Sequence, residues 1–178
     1  SLHDALPILV EKKCVCLKRY SSASGIRDRH VEAFKVTGEG KFVWCYDLVD
    51  RKCKQYSISR AADIILLNEA WTHQREHKAL ETDIFNWSGD KAMHIELRMD
   101  NLACNILKDE HPQSVKFLTS IKDGEEWILS TDVYRCEAPG RFVIGLLDHV
   151  KILQGEELKK YVKDYINEHF DAEQLTVC

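Results

Sequence analysis

Between Phe42 and Arg60 the chain reads FVWCYDLVDRKCKQYSISR, and this alternation restricts the possible folds more than any other stretch. Phe42, Trp44, Tyr46 and Leu48 interleave with Val43, Cys45 and Asp47, the two-residue period of a half-buried strand. After a polar break from Val49 to Cys53, Lys54, Tyr56, Ile58 and Arg60 share one face of a second predicted strand, opposite Gln55, Ser57 and Ser59. Two aromatic-rich strands joined by a short polar loop predict a β-hairpin. Cations and rings on one sheet surface suit a flat, anionic ligand. The same pattern equally suits an ordinary barrel wall with charges at its edge.

The flanking sequence predicts more short strands. Ile8 to Tyr20 ends in an alternation that puts Cys14, Cys16, Lys18 and Tyr20 on one face, against Val15, Leu17 and Arg19. Ser21 to Asp28 reads as a polar loop, Arg29 to Val36 as a strand, Thr37 to Gly40 as a turn and Ala61 to Leu67 as a further strand. Strands this short and closely spaced favour a small barrel over an open sheet. Glu69 to Asp90 is polar and rich in histidine and charge, and reads as a connector.

Beyond it the periodicity changes. Ala92 to Met99 predicts a strand; Leu102 to Leu107 predicts a helix, with Asp100 as N-cap and Pro112 past its end. Val115 to Ile121 and Trp127 to Val133 predict strands flanking the turn signal Asp123-Gly124. Pro139-Gly140 opens a short helical stretch to Leu147, Val150 to Leu153 is a strand, and Glu156 to Phe170 is an amphipathic helix. The order β-α-β-β-α-β-α predicts a ferredoxin-like α+β unit. The fold class expected is therefore α+β: a small β-barrel over 9–68, a linker over 69–90 and an α+β extension over 91–172.

Of the residues, 44% are hydrophobic and 30% charged, as in soluble globular proteins. The formal net charge of −4 conceals an asymmetry: 12 Lys/Arg stand against 8 Asp/Glu up to residue 67, and 13 against 21 beyond it. An anionic ligand is expected to meet the basic front half. The cysteines number seven and show no CxxC pair. Cys14, Cys16 and Cys45 read as buried thiols of a cytoplasmic protein in preference to a metal site. No apolar run approaches the ~20 residues that span a bilayer. Ser1 to Pro7 does not join the strand pattern, which suggests a fragment, or first residues foreign to the natural protein; either way, natural sequence is expected to be missing upstream.

Trp44-Cys45-Tyr46 and Tyr56-x-Ile58-x-Arg60 resemble the core of the WYL domain of bacterial transcriptional regulators, with Trp-Cys-Tyr in place of the usual Trp-Tyr-Leu. Tyr20-Ser21 and Arg29-x-Val31-Glu32-x-Phe34 resemble that family's earlier strands, Ala33 standing where a proline is common. Asp83 to Gly89 and Gly140 to Leu146 resemble the extension, called WCX, that follows many WYL domains. The resemblance implies an Sm-like, SH3-like barrel that senses nucleotide or nucleic-acid ligands. It also implies a homodimer, and an upstream helix-turn-helix that reads DNA.

The candidate ligand-binding residues follow. Arg29 and Arg60 suit bidentate phosphate binding while a base stacks on Trp44 or Tyr46; the plainer reading pairs these arginines with Glu32 or Asp63. Tyr20 and Ser21 offer hydroxyls at the barrel mouth. Lys54 and Ser57 flank the second hairpin strand. Arg141 is a candidate for contact with a ligand held by a neighbouring subunit. No cofactor and no metal ligand set is expected. No nucleophile-elbow or phosphate-loop motif is present, so an enzyme is not the reading, although the scattered histidines leave a Ser-His-Asp arrangement open. Two other function classes compete: a freestanding nucleic-acid-binding module and a ligand-free dimerisation domain.

Overall fold

The structure, a computed structural model, describes residues 11–170. The chain divides between Leu80 and Glu81 into two compact units, each with its own antiparallel sheet and its own hydrophobic core. Of the stretch 69–90, residues up to Leu80 belong to the first unit and those from Glu81 to the second. Ser1 to Pro7 lies outside the described residues.

In the first unit, β1 (Lys13–Ser22), β2 (Gly25–Thr37), β3 (Phe42–Asp47), β4 (Lys52–Ser57) and β5 (Asp63–Ala70) form a sheet in the order β4-β3-β2-β1-β5. The predicted polar loop from Ser21 to Asp28 is mostly strand. Ser21 pairs with Ile26 and Ser22 with Gly25, so only Ala23 and Ser24 are left to turn the chain. Gly25 sits at φ 109°, a conformation glycine reaches without a Cβ penalty. The second hairpin strand stops at Ser57, and Ile58–Arg60 is a 3₁₀ turn. Arg60 therefore does not continue the strand face of Lys54 and Tyr56.

β1 also departs from simple alternation. Its register shifts between Leu17 and Tyr20, with Arg19 at φ 47°, and the bulge moves Tyr20 from the Cys14–Cys16 face to the Val15–Leu17 face. There it joins Val15, Leu17, Val31, Ala33, Val43, Cys45 and Tyr56 in one core. The Tyr20 and Tyr56 rings meet edge-on at 5.0 Å, and the Ser57 N–H donates to the Tyr20 hydroxyl at 3.1 Å. Since β1 and β4 are not sheet neighbours, the sheet must curl over this core to bring them together. Cys14, Cys16, Glu32, Trp44 and Tyr46 are buried as well. On this side of the sheet residues 71–77 cover Tyr46 and Phe34, the His73 ring stacking on the first and the His77 ring on the second.

In the second unit, β6 (Met93–Asp100), β7 (Leu118–Ile121), β8 (Glu126–Val133) and β9 (Val150–Gln154) are ordered β7-β8-β6-β9. Helices α1 (Asn101–Glu110), α2 (Glu137–Gly145) and α3 (Glu156–His169) interleave with them. Asp100 caps α1, its carboxylate accepting from the Ala103 N–H at 3.0 Å. Ile95, Leu97, Met99, Leu129 and Val133 project from β6 and β8 into a core shared with Leu107, Phe142, Val143, Leu158 and Val162. Each fully buried leucine there contributes about 1.5–3 kcal/mol.

Pro112 to Phe117 is 3₁₀, which shortens the predicted strand before Ile121 to Leu118–Ile121. α2 begins at Glu137, before the predicted Pro139-Gly140, because proline is tolerated within a first helical turn. Gly140 is set by packing: a Cβ there would lie 2.4 Å from Tyr161 Cε1 on α3. Residues 83–87 are tied in by Asp83, whose carboxylate accepts from the N–H groups of Phe85, Trp87 and Tyr134 at 2.9–3.0 Å. Burial pushes its carboxyl pKa up, against the pull of those bonds.

Candidate functional site

Cations and acids cluster where β3 turns into β4. Asp47 closes β3 and starts an Asx turn, its Oδ1 accepting from the N–H of Val49 at 2.9 Å and of Asp50 at 2.8 Å. Arg51, at φ 51°, completes the reversal. This turn geometry sets two carboxylates side by side. Arg29, arriving on β2, places Nη1 3.8 Å from Asp47 Oδ2 and 3.6 Å from Asp50 Oδ2. Lys54, on β4, reaches the same two oxygens, at 3.8 Å from Asp47 and in closer contact with Asp50. Tyr56 donates its hydroxyl to Asp47. Burial first, and that hydrogen bond second, drive the Tyr56 pKa far up, so it stays a donor. The bond from Lys54 holds the Asp50 carboxyl below the usual carboxylate range.

Burial separates the two acids. Asp47 is 1% exposed and Asp50 36%, both as side chains. Arg29 is 7% exposed, and its Nε is buried with no hydrogen-bond partner. A buried donor without a partner costs about 1–3 kcal/mol, so it marks a place where an acceptor would bind well.

The expected site residues divide accordingly. Arg29 and Lys54 come together through Asp47 and Asp50, so Arg29 does not take Glu32 or Asp63, the partners that the plainer reading gave to Arg29 and Arg60. Arg60 is exposed in its 3₁₀ turn and shares no partner with Arg29. It follows Ser57, which pairs with Phe42, whereas Asp47 lies at the other end of β3. Tyr20 faces the core, and its hydroxyl is occupied by the Ser57 N–H. Ser21 is exposed on the β1–β2 hairpin, and the Ser57 hydroxyl bonds Ser59 at 3.1 Å. Trp44 is 2% exposed, and Tyr46 stacks on His73 with ring centres 4.6 Å apart, so neither ring presents an open face for a base. Arg141, in the second unit, is exposed on α2.

Sequence reasoning missed a second cluster in the first unit. Glu32 is fully buried and accepts from the Thr72 N–H at 2.8 Å and the His73 N–H at 3.1 Å. His77 Nε2 lies 2.7 Å and His73 Nδ1 3.1 Å from its oxygens. Burial raises the Glu32 carboxyl, but these hydrogen bonds outweigh it and leave the pKa below the ordinary value. The His77 ring lies between Phe34, stacked at 4.5 Å, and the edge of Trp71 at 4.7 Å. The signal was an acid inside the apolar run Val31-Glu32-Ala33-Phe34, an arrangement that demands donors from elsewhere.

The second unit contains the Ser-His-Asp order that the sequence left open. Ser130 Oγ is 3.2 Å from His94 Nε2, and His94 Nδ1 is 2.7 Å from Asp132 Oδ1. Ser130 also lies 3.4 Å from a Glu96 oxygen, which competes for its proton. The His94 and Asp132 side chains are 42% and 67% exposed, so water screens the relay. Among the described residues no group of His, Cys, Asp or Glu could hold a metal ion. No described helix is long and apolar enough to cross a membrane.

Taken together, the observations describe a mixed α/β protein of two antiparallel-sheet units, the first with a compact cation–carboxylate cluster. No family model matches the chain, and no curated protein does. Among solved structures it is similar to proteasome accessory factor B/C (PafBC) of Arthrobacter aurescens, at 15% identity and a TM-score of 0.38 over 93% of this chain. It is also similar to a CRISPR Cas-related protein, at 10% identity and a TM-score of 0.47 over 99% of this chain. The chain spans 26% of the length of the first and 54% of the second.

Proposed function

We propose that this chain is the effector-sensing region of a WYL-type bacterial transcriptional regulator. In this reading the first unit is an Sm-like barrel and the second a ferredoxin-like extension. The curl that brings Tyr20 of β1 to Ser57 of β4 supports the first assignment. The antiparallel order β7-β8-β6-β9, with α1 and α2 as the crossovers, supports the second. The protein works in the cytoplasm as a homodimer and performs no catalysis. Its DNA-reading helix-turn-helix is a separate part of the regulator.

The ligand is anionic, a nucleotide or a short single-stranded nucleic acid, and its phosphate binds Arg29 and Lys54. The observation that carries this reading is the buried Arg29 guanidinium with its Nε unpartnered beside a second cation. Stacking of a base on Tyr46 would require His73 to withdraw. Binding would favour one arrangement of the regulator and so shift its affinity for DNA.

Fluorescence anisotropy of a labelled oligothymidylate, titrated at several salt concentrations, tests the proposal. The expected result is a salt slope of about 0.7 per phosphate contacted, with Lys54→Met removing about one such increment. Curves that do not vary with salt, or a Lys54→Met slope equal to that of the native chain, overturn it.

A further inference from the structure

Neither carboxylate beside Arg29 and Lys54 was foreseen as part of the site, and the two are held very differently. Asp47 is buried and fixed by the Tyr56 hydroxyl, two backbone N–H groups and both cations. Asp50 is partly exposed, rides on the turn, and among the described residues its carboxylate makes ion pairs with Arg29 and Lys54, with the positive charge of Arg27 also acting on it. Of the two, Asp50 alone can leave without stranding a buried charge.

We propose that Asp50 is a built-in competitor for the ligand, its carboxylate occupying on Arg29 and Lys54 the place that a ligand phosphate takes. This rests on the reading of the site given above. Charge supports the exchange. With Asp50 in place, Arg29 and Lys54 balance the two carboxylates they contact, and Arg27 adds a further positive charge acting on Asp50, so an anion at that place is favoured. A phosphodiester carries one negative charge, so substituting it for Asp50 leaves that balance unchanged beside buried Asp47. Geometry supports it too. Arg29 Nε finds no acceptor while Asp50 is bound, and a tetrahedral phosphate offers oxygens in directions that a planar carboxylate does not. Empty, the site is thus closed by its own turn. An anion binds only by making contacts that Asp50 leaves unmade, which raises the threshold against weak, non-specific anions.

The test is anisotropy of a labelled oligothymidylate with the full chain at one salt concentration, comparing native, Asp50→Asn, Asp50→Ser, Asp63→Asn, Lys54→Met and the Lys54→Met/Asp50→Asn double variant. Circular dichroism checks that each is folded. Asp63 is exposed on β5, and among the described residues its carboxylate accepts the neighbouring Ile64 N–H, so it controls for loss of a negative charge. Release of one partly screened ion pair of ~1 kcal/mol predicts about fivefold tighter binding for both Asp50 variants. Asp63→Asn is expected to change little. The gain should shrink in the Lys54→Met background, because the two residues act on each other.

Equal gains from Asp50→Asn and Asp63→Asn would reduce the effect to overall charge and overturn the proposal. Weaker binding by the Asp50 variants would overturn it in the other direction, making Asp50 a support for the cations. Native binding left unchanged by both Asp50 variants removes the competitor while the ligand site stands. Binding by none of the folded variants removes the ligand site itself and the competitor with it.

Discussion

Glu32 permits the sharpest prediction about how the first unit holds together. Its carboxylate satisfies the N–H groups of Thr72 and His73 and a ring nitrogen of His77, with His73 Nδ1 also in reach. Glu32→Ala leaves these donors without their acceptor; the His77 side chain is buried, His73 is half-exposed and Thr72 is exposed. At ~1–3 kcal/mol for each stranded donor, three would cost about 3–9 kcal/mol if all were dry; water reaches Thr72 and His73, so a loss of about 3–5 kcal/mol is expected, a large share of the ~5–15 kcal/mol that keeps a domain folded. Glu32→Gln retains one oxygen but turns an amide N–H₂ toward a ring donor, for which about 1–2 kcal/mol is expected.

Urea unfolding followed by circular dichroism measures both losses. Hydrogen exchange at the Thr72 and His73 amides should accelerate well before the strands open. The dependence on pH has a defined sign. Because the folded carboxyl releases its proton more readily than the unfolded one, its contribution is complete above the unfolded value of ~4.3 and fades as pH falls below it. Glu32→Gln should flatten that acid limb. A Glu32→Ala protein within about 1 kcal/mol of native, with unchanged amide protection, would refute the idea that residues 71–77 are latched by this carboxylate.

Two further outcomes are expected. Gly140→Ala puts a methyl 2.4 Å from the Tyr161 ring, so urea titration should show a loss of about 1–3 kcal/mol, whereas Gly145→Ala, which meets nothing within 4 Å, should not. Ser130, despite its hydrogen bond to His94, should resist a fluorophosphonate probe at rates like those of ordinary surface serines. Rapid stoichiometric labelling, lost in His94→Ala, would instead make this chain a hydrolase.

Local pattern was enough to place most of the elements. Alternation from Phe42 to Asp47 is a strand in the structure, and the Asp100 cap and the helix from Glu156 fall where their residues put them. These depend on neighbours in sequence, so the sequence alone expresses them. Errors arose where a local rule met a longer-range demand. Ser21 to Asp28 looked like loop because its residues are polar, yet strand pairing across a two-residue turn satisfies its backbone. Simple alternation puts Tyr20 with Cys14 and Cys16, but one bulge residue, Arg19, inverts it and turns Tyr20 to the other face. The cluster at Arg29 was legible in part: the cation and Lys54 were named, but their carboxylates Asp47 and Asp50 were not.

What the sequence determined by itself, then, is the strand-rich front half, the mixed back half and the basic bias of the first. Tertiary structure decided which charges meet. Arg29 and Glu32, three residues apart on β2, project to opposite faces: Glu32 is taken by donors some forty positions later, and Arg29 goes to the turn after β3. The physical reason is burial. A charge removed from water must find a partner of the right geometry, and that partner is chosen by how the sheet curls and what crosses it, neither of which any local periodicity encodes.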